Sequence, residues 1–308
     1  MRAIWWALVV VVVLLGAAAT AAEVVEDFAD SVPEPFKVSQ HTRRSLSVKS
    51  SRGHKKIYKG RLAKSKEVPF QVYVRVFLAD GSKEYCGGAI IGPRHIISAA
   101  HCVQMPAVEK VCSIVGNENR FHKQTLKYTV VRQHFYPKKR AENVDADIVV
   151  FLVDRPLPIG KANIQQIRLA GKNQIIPTHT TCSISGWGRT ENPLDNQDLL
   201  RHTKVPVVSH EHCRKAYPNS PTGDLLCAGF YEQGGADACK GDSGGPLVCD
   251  GVLTGLVKSG KGCGLPHYPG TYTDVRYYWS WIKKVMTEDM RKEAPNKGGT
   301  RVKHVNIC

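Results

Sequence analysis

Gly241-Asp242-Ser243-Gly244-Gly245-Pro246 sets one serine among glycines, and far upstream it has a counterpart in Ser98-Ala99-Ala100-His101-Cys102. A serine hydroxyl is a poor nucleophile at neutral pH. It needs a base within hydrogen-bond reach and donors aimed at the oxyanion that forms. Glycines around Ser243 let the backbone turn tightly and leave the N–H groups of Gly241 and Ser243 free to point at one spot. His101 is the natural base, because imidazole titrates near working pH. Between the two motifs, Asp147 directly precedes Ile148-Val149-Val150-Phe151-Leu152-Val153, an apolar run with strand propensity. A carboxylate entering a buried strand needs a partner, and imidazole is a fitting one. Asp145, two residues earlier, reads as a solvated loop carboxylate.

The chain order His, Asp, Ser excludes an α/β-hydrolase, whose order is Ser, acid, His. These motifs, with Asp-Ile opening the apolar run, resemble those of the trypsin/chymotrypsin family of serine proteases. The resemblance implies that Ser243 is the nucleophile, His101 the general base and Asp147 its orienting carboxylate, with Gly241 and Ser243 forming the oxyanion hole; these are the family's own roles, carried over position by position. Asp237, six residues before Ser243, matches the floor of the primary specificity pocket. A desolvated carboxylate there selects Arg or Lys. Gly260 and Gly270 match the pocket walls. Ala238 stands where trypsins often have Ser and removes a hydroxyl that would help a lysine, so Arg is expected over Lys.

No cofactor or metal is expected. Residues 117–123 lack the spaced glutamates of the family's calcium loop, and Pro269 stands where sodium-sensitive members carry Tyr. Two positions depart from the pattern: Lys258 replaces the usual Ser and Ser259 the usual Trp. A lysine there either competes with His101 for Asp147 or points out of the cleft. Lys240 at the rim favours acidic residues on the leaving side. The alternative function is a weakly active or non-catalytic binding protein on the same fold.

Met1 to Ala22 combines Arg2, an apolar stretch from Ile4 to Leu15 and a small-residue end, the pattern of a secretory signal peptide. No later segment is long and apolar enough to be a membrane anchor. Residues 23–56 run from acidic to basic with few apolar residues and read as a propeptide. Lys55-Lys56 then precedes Ile57-Tyr58-Lys59-Gly60. The spacing resembles the family's zymogen junction, where an activating protease cuts after Lys56 and the new ammonium of Ile57 pairs with Asp242. Tyr58 and Lys59 replace the usual Val and Gly. The protease domain is expected over 57–290, with a boundary between its halves near 165–180, and a basic tail follows over 291–308.

The ten cysteines in a chain with a secretory signal imply disulfides and an extracellular location. The resemblance implies Cys86 with Cys102, Cys182 with Cys249, Cys213 with Cys227 and Cys239 with Cys263. Cys112 and Cys308 are left over, to pair with each other or to link Cys308 to another chain. Short β-branched runs punctuated by Gly and Pro read as an all-β protein. By resemblance it is two antiparallel β-barrels with the active site in the cleft between them. Tyr278, Trp281, Ile282, Val285 and Met286 fall at helical spacing and mark a closing C-terminal helix.

The formal net charge is +16; residues 1–56 hold eight of the 43 basic and five of the 27 acidic residues, leaving 57–308 at +13. This balance suits a polyanion or acidic surfaces, but no aromatic-interleaved basic motif points to specific nucleic-acid binding. The partners implied are protein or peptide substrates with Arg or Lys, the activating protease and protein inhibitors.

Overall fold

Val72, Val74 and Val76 alternate with Tyr73, Arg75 and Phe77 along Gln71–Leu78 (β2), and that period of two sends the valines to one face. They are fully buried in a cluster with Ile90, Ile96, Val111, Val149, Phe151 and Val153. Those partners come from Lys83–Ile90 (β3), His95–Ser98 (β4), Val108–Val115 (β5) and Val149–Val153 (β7). With Leu126–Phe135 (β6) these strands close a barrel in the order β2-β3-β4-β7-β6-β5, all antiparallel. Each such side chain contributes about 1.5–3 kcal/mol on leaving water, and closure leaves no unpaired strand edge.

Residues 57–137, 143–161, 163–293 and 308 are described by a computed structural model. The expected signal peptide, the propeptide with Lys56, and the tail over 294–307 lie outside the described residues.

The second half contributes Thr181–Gly186 (β8), Arg201–Pro206 (β9), Leu225–Ala228 (β10), Pro246–Cys249 (β11), Val252–Ser259 (β12) and Gly270–Asp274 (β13). With the short Arg61–Leu62 (β1) they form one antiparallel sheet ordered β1-β9-β8-β11-β12-β13-β10. Past the end of β9, Val207 bridges Ala228 and the Val208 N–H donates to Cys227 O at 2.9 Å. Strand β10 therefore comes round to β9, and the sheet closes on itself. Its core holds Ile57, Ile184, Val205, Leu226, Leu247 and Tyr272.

Trp279–Glu293 (α2) and Tyr278 just before it bury the expected stripe: Tyr278, Ile282 and Val285 pack with Ile97, Ile148 and Val150 of the first half and with Leu253 and Leu256 of β12. The stripe ends on a residue that periodicity of apolar residues does not find. Asp289 is fully buried and bonded to Arg132 Nη1 (2.6 Å), His134 Nε2 (2.8 Å) and His95 Nε2 (3.3 Å). A second helix, His210–Ala216 (α1), starts at Ser209, whose hydroxyl accepts the His212 N–H. Its only buried residue is Cys213, so no apolar stripe announces it.

Five disulfides join Cys86 to Cys102, Cys112 to Cys308, Cys182 to Cys249, Cys213 to Cys227 and Cys239 to Cys263. The Cys112–Cys308 bridge ties the chain's last residue to β5 of the barrel, so Cys308 is not available to another chain.

Candidate active site

The turn bearing Ser243 is pressed between the two halves. Gly244 adopts φ +74°, and a Cβ there would stand 2.2 Å from Ser98 Oγ and 2.8 Å from Gly87 O. Only glycine supplies both the left-handed backbone and the close approach. The Gly87 N–H donates to Ser243 O at 2.7 Å, while Gly244 N–H donates to Val257 O and Val257 N–H to Gly245 O. The serine is thus clamped by β3 on one side and β12 on the other. Neither Gly241 N–H nor Ser243 N–H donates to a protein acceptor among the described residues, which leaves both for an oxyanion.

His101 sits in a short 3-10 turn, Ala100–Cys102, between buried Ala100 and Cys102. Asp147, buried, receives the His101 backbone N–H on Oδ1 at 2.8 Å and meets His101 Nδ1 with Oδ2 at 2.7 Å. Burial works to raise the Asp147 pKa. The hydrogen bonds and charge of His101 outweigh it, with help from Lys258, and hold the carboxyl below its ordinary value. Thr273 Oγ1 donates to Asp147 O at 3.0 Å, so β13 braces a residue carried by the barrel. His101, Gly241 and Ser243 line one cavity of about 500 Å³, together with Arg120, Arg189, Lys240 and Glu84. No hydrogen bond joins His101 to Ser243 among the described residues; such contacts tighten in the complex with substrate. Cys86, His101 and Cys102 also cluster, but both sulfurs are spent in a disulfide and offer no thiolate to a metal.

On the other side of Ser243, a cavity of about 350 Å³ is lined by Asp237, Ala238, Gly260 and Gly270. Asp237 is buried in its lining and accepts the N–H groups of Ala238 and Gly264, each at 2.8 Å. Burial pushes its pKa up to about 7 against those two hydrogen bonds, with the neighbouring Asp242 charge adding to the rise. The two wall glycines differ. A Cβ on Gly270 would stand 2.7 Å from Asp237 Oδ1, whereas one on Gly260 would meet nothing closer than 3.4 Å. Tyr217, which the sequence did not single out, bonds Pro269 O and receives the Lys261 N–H, joining the segment that follows β12 to the one that precedes β13.

Asp242 is fully buried and accepts Gly188 N–H (2.8 Å) and Cys239 N–H (2.9 Å). It has no cationic partner among the described residues, and burial raises its pKa to about 7. Ile57 is already buried, at 1% exposure, in the core of the second half. Its φ of +44° is a costly conformation for a β-branched residue.

Lys258 takes neither of the two courses expected of it. Its Nζ meets Asp145 Oδ2 at 2.9 Å, so Asp145 is ion-paired and not simply solvated, and Asp147 is left to His101. Nothing along the chain joins these two residues, which lie 113 positions apart. Ser259 exchanges hydrogen bonds with Thr271: Oγ to Oγ1 at 3.0 Å and Oγ1 to Ser259 O at 2.7 Å.

The Trypsin family model matches residues 57–282. The chain is 38% identical over 204 residues to trypsin eta of Drosophila melanogaster, covering 66% of this chain and 77% of that one. It is 35% identical over 233 residues to serine protease 1 of Rattus norvegicus, covering 74% and 89%. The solved structure of mouse neuropsin, a serine protease expressed in the limbic system of the brain, superposes with a TM-score of 0.64 at 32% identity, over 75% of this chain and all of that one.

Proposed function

This chain belongs to the trypsin family and is a serine endopeptidase, and from that premise we propose that it is a secreted zymogen, activated by a cut after Lys56, that hydrolyses peptide bonds following Arg in preference to Lys. In the proposed reaction Ser243 Oγ attacks the scissile carbonyl as His101 takes its proton. Asp147 holds the imidazole through Nδ1 and offsets the imidazolium. Gly241 and Ser243 N–H groups receive the oxyanion, and His101 returns the proton to the leaving amine; this is the family's shared mechanism. The observation that carries the reading is the His101 Nδ1–Asp147 Oδ2 contact at 2.7 Å, made in the cleft that Ser243 lines.

Specificity rests on Asp237. A carboxyl that burial holds near neutrality gains most from a cation that fills its cavity, and an apolar side chain gains nothing there. Arg can bond it in bidentate fashion; the Ala238 methyl offers a lysine no hydroxyl. On the leaving side, Arg120, Arg189 and Lys240 face one acid, Glu84, around the larger cavity, which favours acidic residues after the cut.

Activation is supported by Asp242 and Ile57. Asp242 lies buried without a counter-charge among the described residues, and the cut would supply an ammonium beside it. Cleavage would also abolish the torsion that strains Ile57, because φ is defined by the carbonyl carbon of Lys56. That relieves about 1–3 kcal/mol. Five disulfides suit an oxidising compartment. The test compares intact protein with protein cut after Lys56, using an arginyl active-site titrant and matched Arg and Lys peptides. Activity that appears only on cutting, favours Arg and vanishes in Ser243→Ala is the expected result; inertness with Ile57 correctly freed would sink the reading.

A further inference from the structure

Lys258 and Asp145 take no step in the proposed reaction, yet they meet in a defined geometry, Nζ to Oδ2 at 2.9 Å. Strand β12 pairs with β13 as Val257↔Tyr272 and then Ser259↔Thr271. Lys258 is therefore the extra residue of a β-bulge, a device that re-aims the side chain it carries. One residue earlier, Val257 holds the Ser243 turn through both of its backbone groups, with Gly244 N–H at 2.7 Å and Gly245 O at 2.9 Å. The Lys258 side chain is only 10% exposed, against 49% for Asp145. A lysine so far from water is costly without a counter-charge, and Asp145 supplies one at 2.9 Å. Asp145 lies two residues before Asp147, separated from it by Ala146 at φ +53°.

We infer that Lys258 is a positioning residue of the catalytic centre: through Asp145 it ties the strand holding the Ser243 turn to the segment presenting Asp147, and its charge, balanced by Asp145, biases the His101–Asp147 pair. This rests on the triad reading proposed above. The segment has other ties to the second half. Gly223 N–H donates to Asn143 O at 2.8 Å, Asn143 Nδ2 to Thr222 Oγ1 at 3.1 Å, and Asp145 N–H to Asp224 Oδ1 at 3.3 Å. Against these, the Lys258–Asp145 contact is the tie that places a cation and an anion together beside the pair. It therefore does what the neutral Gly223–Asn143 and Asn143–Thr222 bonds do not: it adds a local field, with two components of opposite sign. The Lys258 charge lowers the Asp147 pKa, after the larger and opposed effects of burial and His101. Other charges near the pair include Glu84, Arg120, Arg189 and Lys240 in the cavity that His101 lines and the buried Asp224 that accepts the Asp145 N–H; neither substitution below alters them.

Because the two partners carry opposite charges, their removal separates a field from a tether. In protein cut after Lys56, Lys258→Met leaves the Asp145 carboxylate unmatched. That favours the imidazolium, and the acid limb of kcat/KM moves to higher pH. Asp145→Asn leaves the Lys258 ammonium unmatched, and the limb moves to lower pH. At a pH on that limb the two variants should differ about tenfold in rate, which one pH unit of separation gives. Lys258→Arg should keep the parent profile. The same titration is read without turnover in a Ser243→Ala background, from the NMR signal of the His101 Nδ1 proton bonded to Asp147. Opposite displacements of that signal's titration support the inference even in a protein that cleaves nothing, in which case the triad reading alone fails. Parallel displacements, or none, overturn it and leave Lys258 a tether only.

Discussion

The two halves of the molecule hold their charges in opposite ways. In the first barrel, Asp147 is buried but complete: two contacts to His101 satisfy it and hold its pKa below the ordinary carboxyl value. In the second half, Asp237 and Asp242 are equally buried and incomplete. Each is held by two backbone N–H groups and no cation among the described residues, and each is pushed up to about 7. The difference teaches what each half is built for. The barrel arrives with its His101–Asp147 pair assembled, whereas the second half carries two carboxyls unmatched by a cation among the described residues; under the proposed function one would meet a substrate's guanidinium and the other the terminus that cleavage would free.

The comparison breaks most visibly on the completed side. Asp147→Asn keeps the shape of the pair and removes its charge, so kcat should fall about 10⁴-fold with KM little changed, the size of loss known for this substitution in the family's triad. Stopped assays on the cut protein with an Arg peptide check this. A fall of tenfold or less would mean that Asp147 is not the orienting carboxylate.

On the incomplete side, Asp237→Ser should lower kcat/KM for Arg peptides by about 10³-fold, since a buried ion pair loses its anion while the cation still has to be desolvated. The parent should also show the titration of this group. Its cation-binding form is the carboxylate, so below about pH 7 a proton competes with the ligand. Affinity for a small guanidinium or amidinium inhibitor, measured by calorimetry, should rise with pH up to about 7 and level off above it. In Asp237→Ser that rise should disappear.

The smallest effect concerns stability. Asp242 is raised from an ordinary 3.8 to about 7 in the folded uncut chain, so the folded state holds a proton that the unfolded state releases. The associated stability is fully present below about pH 4 and is lost as pH rises through 7. A freed Ile57 ammonium would match the carboxylate and remove that loss. In a Ser243→Ala background, the melting temperature of cut protein should exceed that of intact protein by a few degrees more at pH 7.5 than at pH 5. An equal difference at both values would mean that Asp242 and the new terminus do not meet.

Much of the fold was legible because its signals are local. The apolar run after Asp147 is β7, and the stripe that begins at Tyr278, just before α2, continues on the helix to Met286. The glycine-rich turn at Ser243 advertises itself because backbone at φ +74° beside another strand admits no side chain. Helix α1 was not legible, because it buries only Cys213 and leaves no periodic stripe. Asp289 was hidden for the opposite reason: a buried acid on an apolar face makes sense only once Arg132, His134 and His95 are beside it.

By itself, the sequence determined the family and the fold class and nominated His101, Asp147 and Ser243 for the proposed chemistry, because motif spacing and apolar periodicity are properties of neighbours along the chain. The tertiary structure alone decided how charges separated by a hundred residues are matched. Lys258 found Asp145 and left Asp147 to His101. Asp237 and Asp242 were buried without cations among the described residues. The physical reason is that the energy of a charge depends on what lies within a few ångströms of it and on how much water it has lost, and both are set when the two halves fold together.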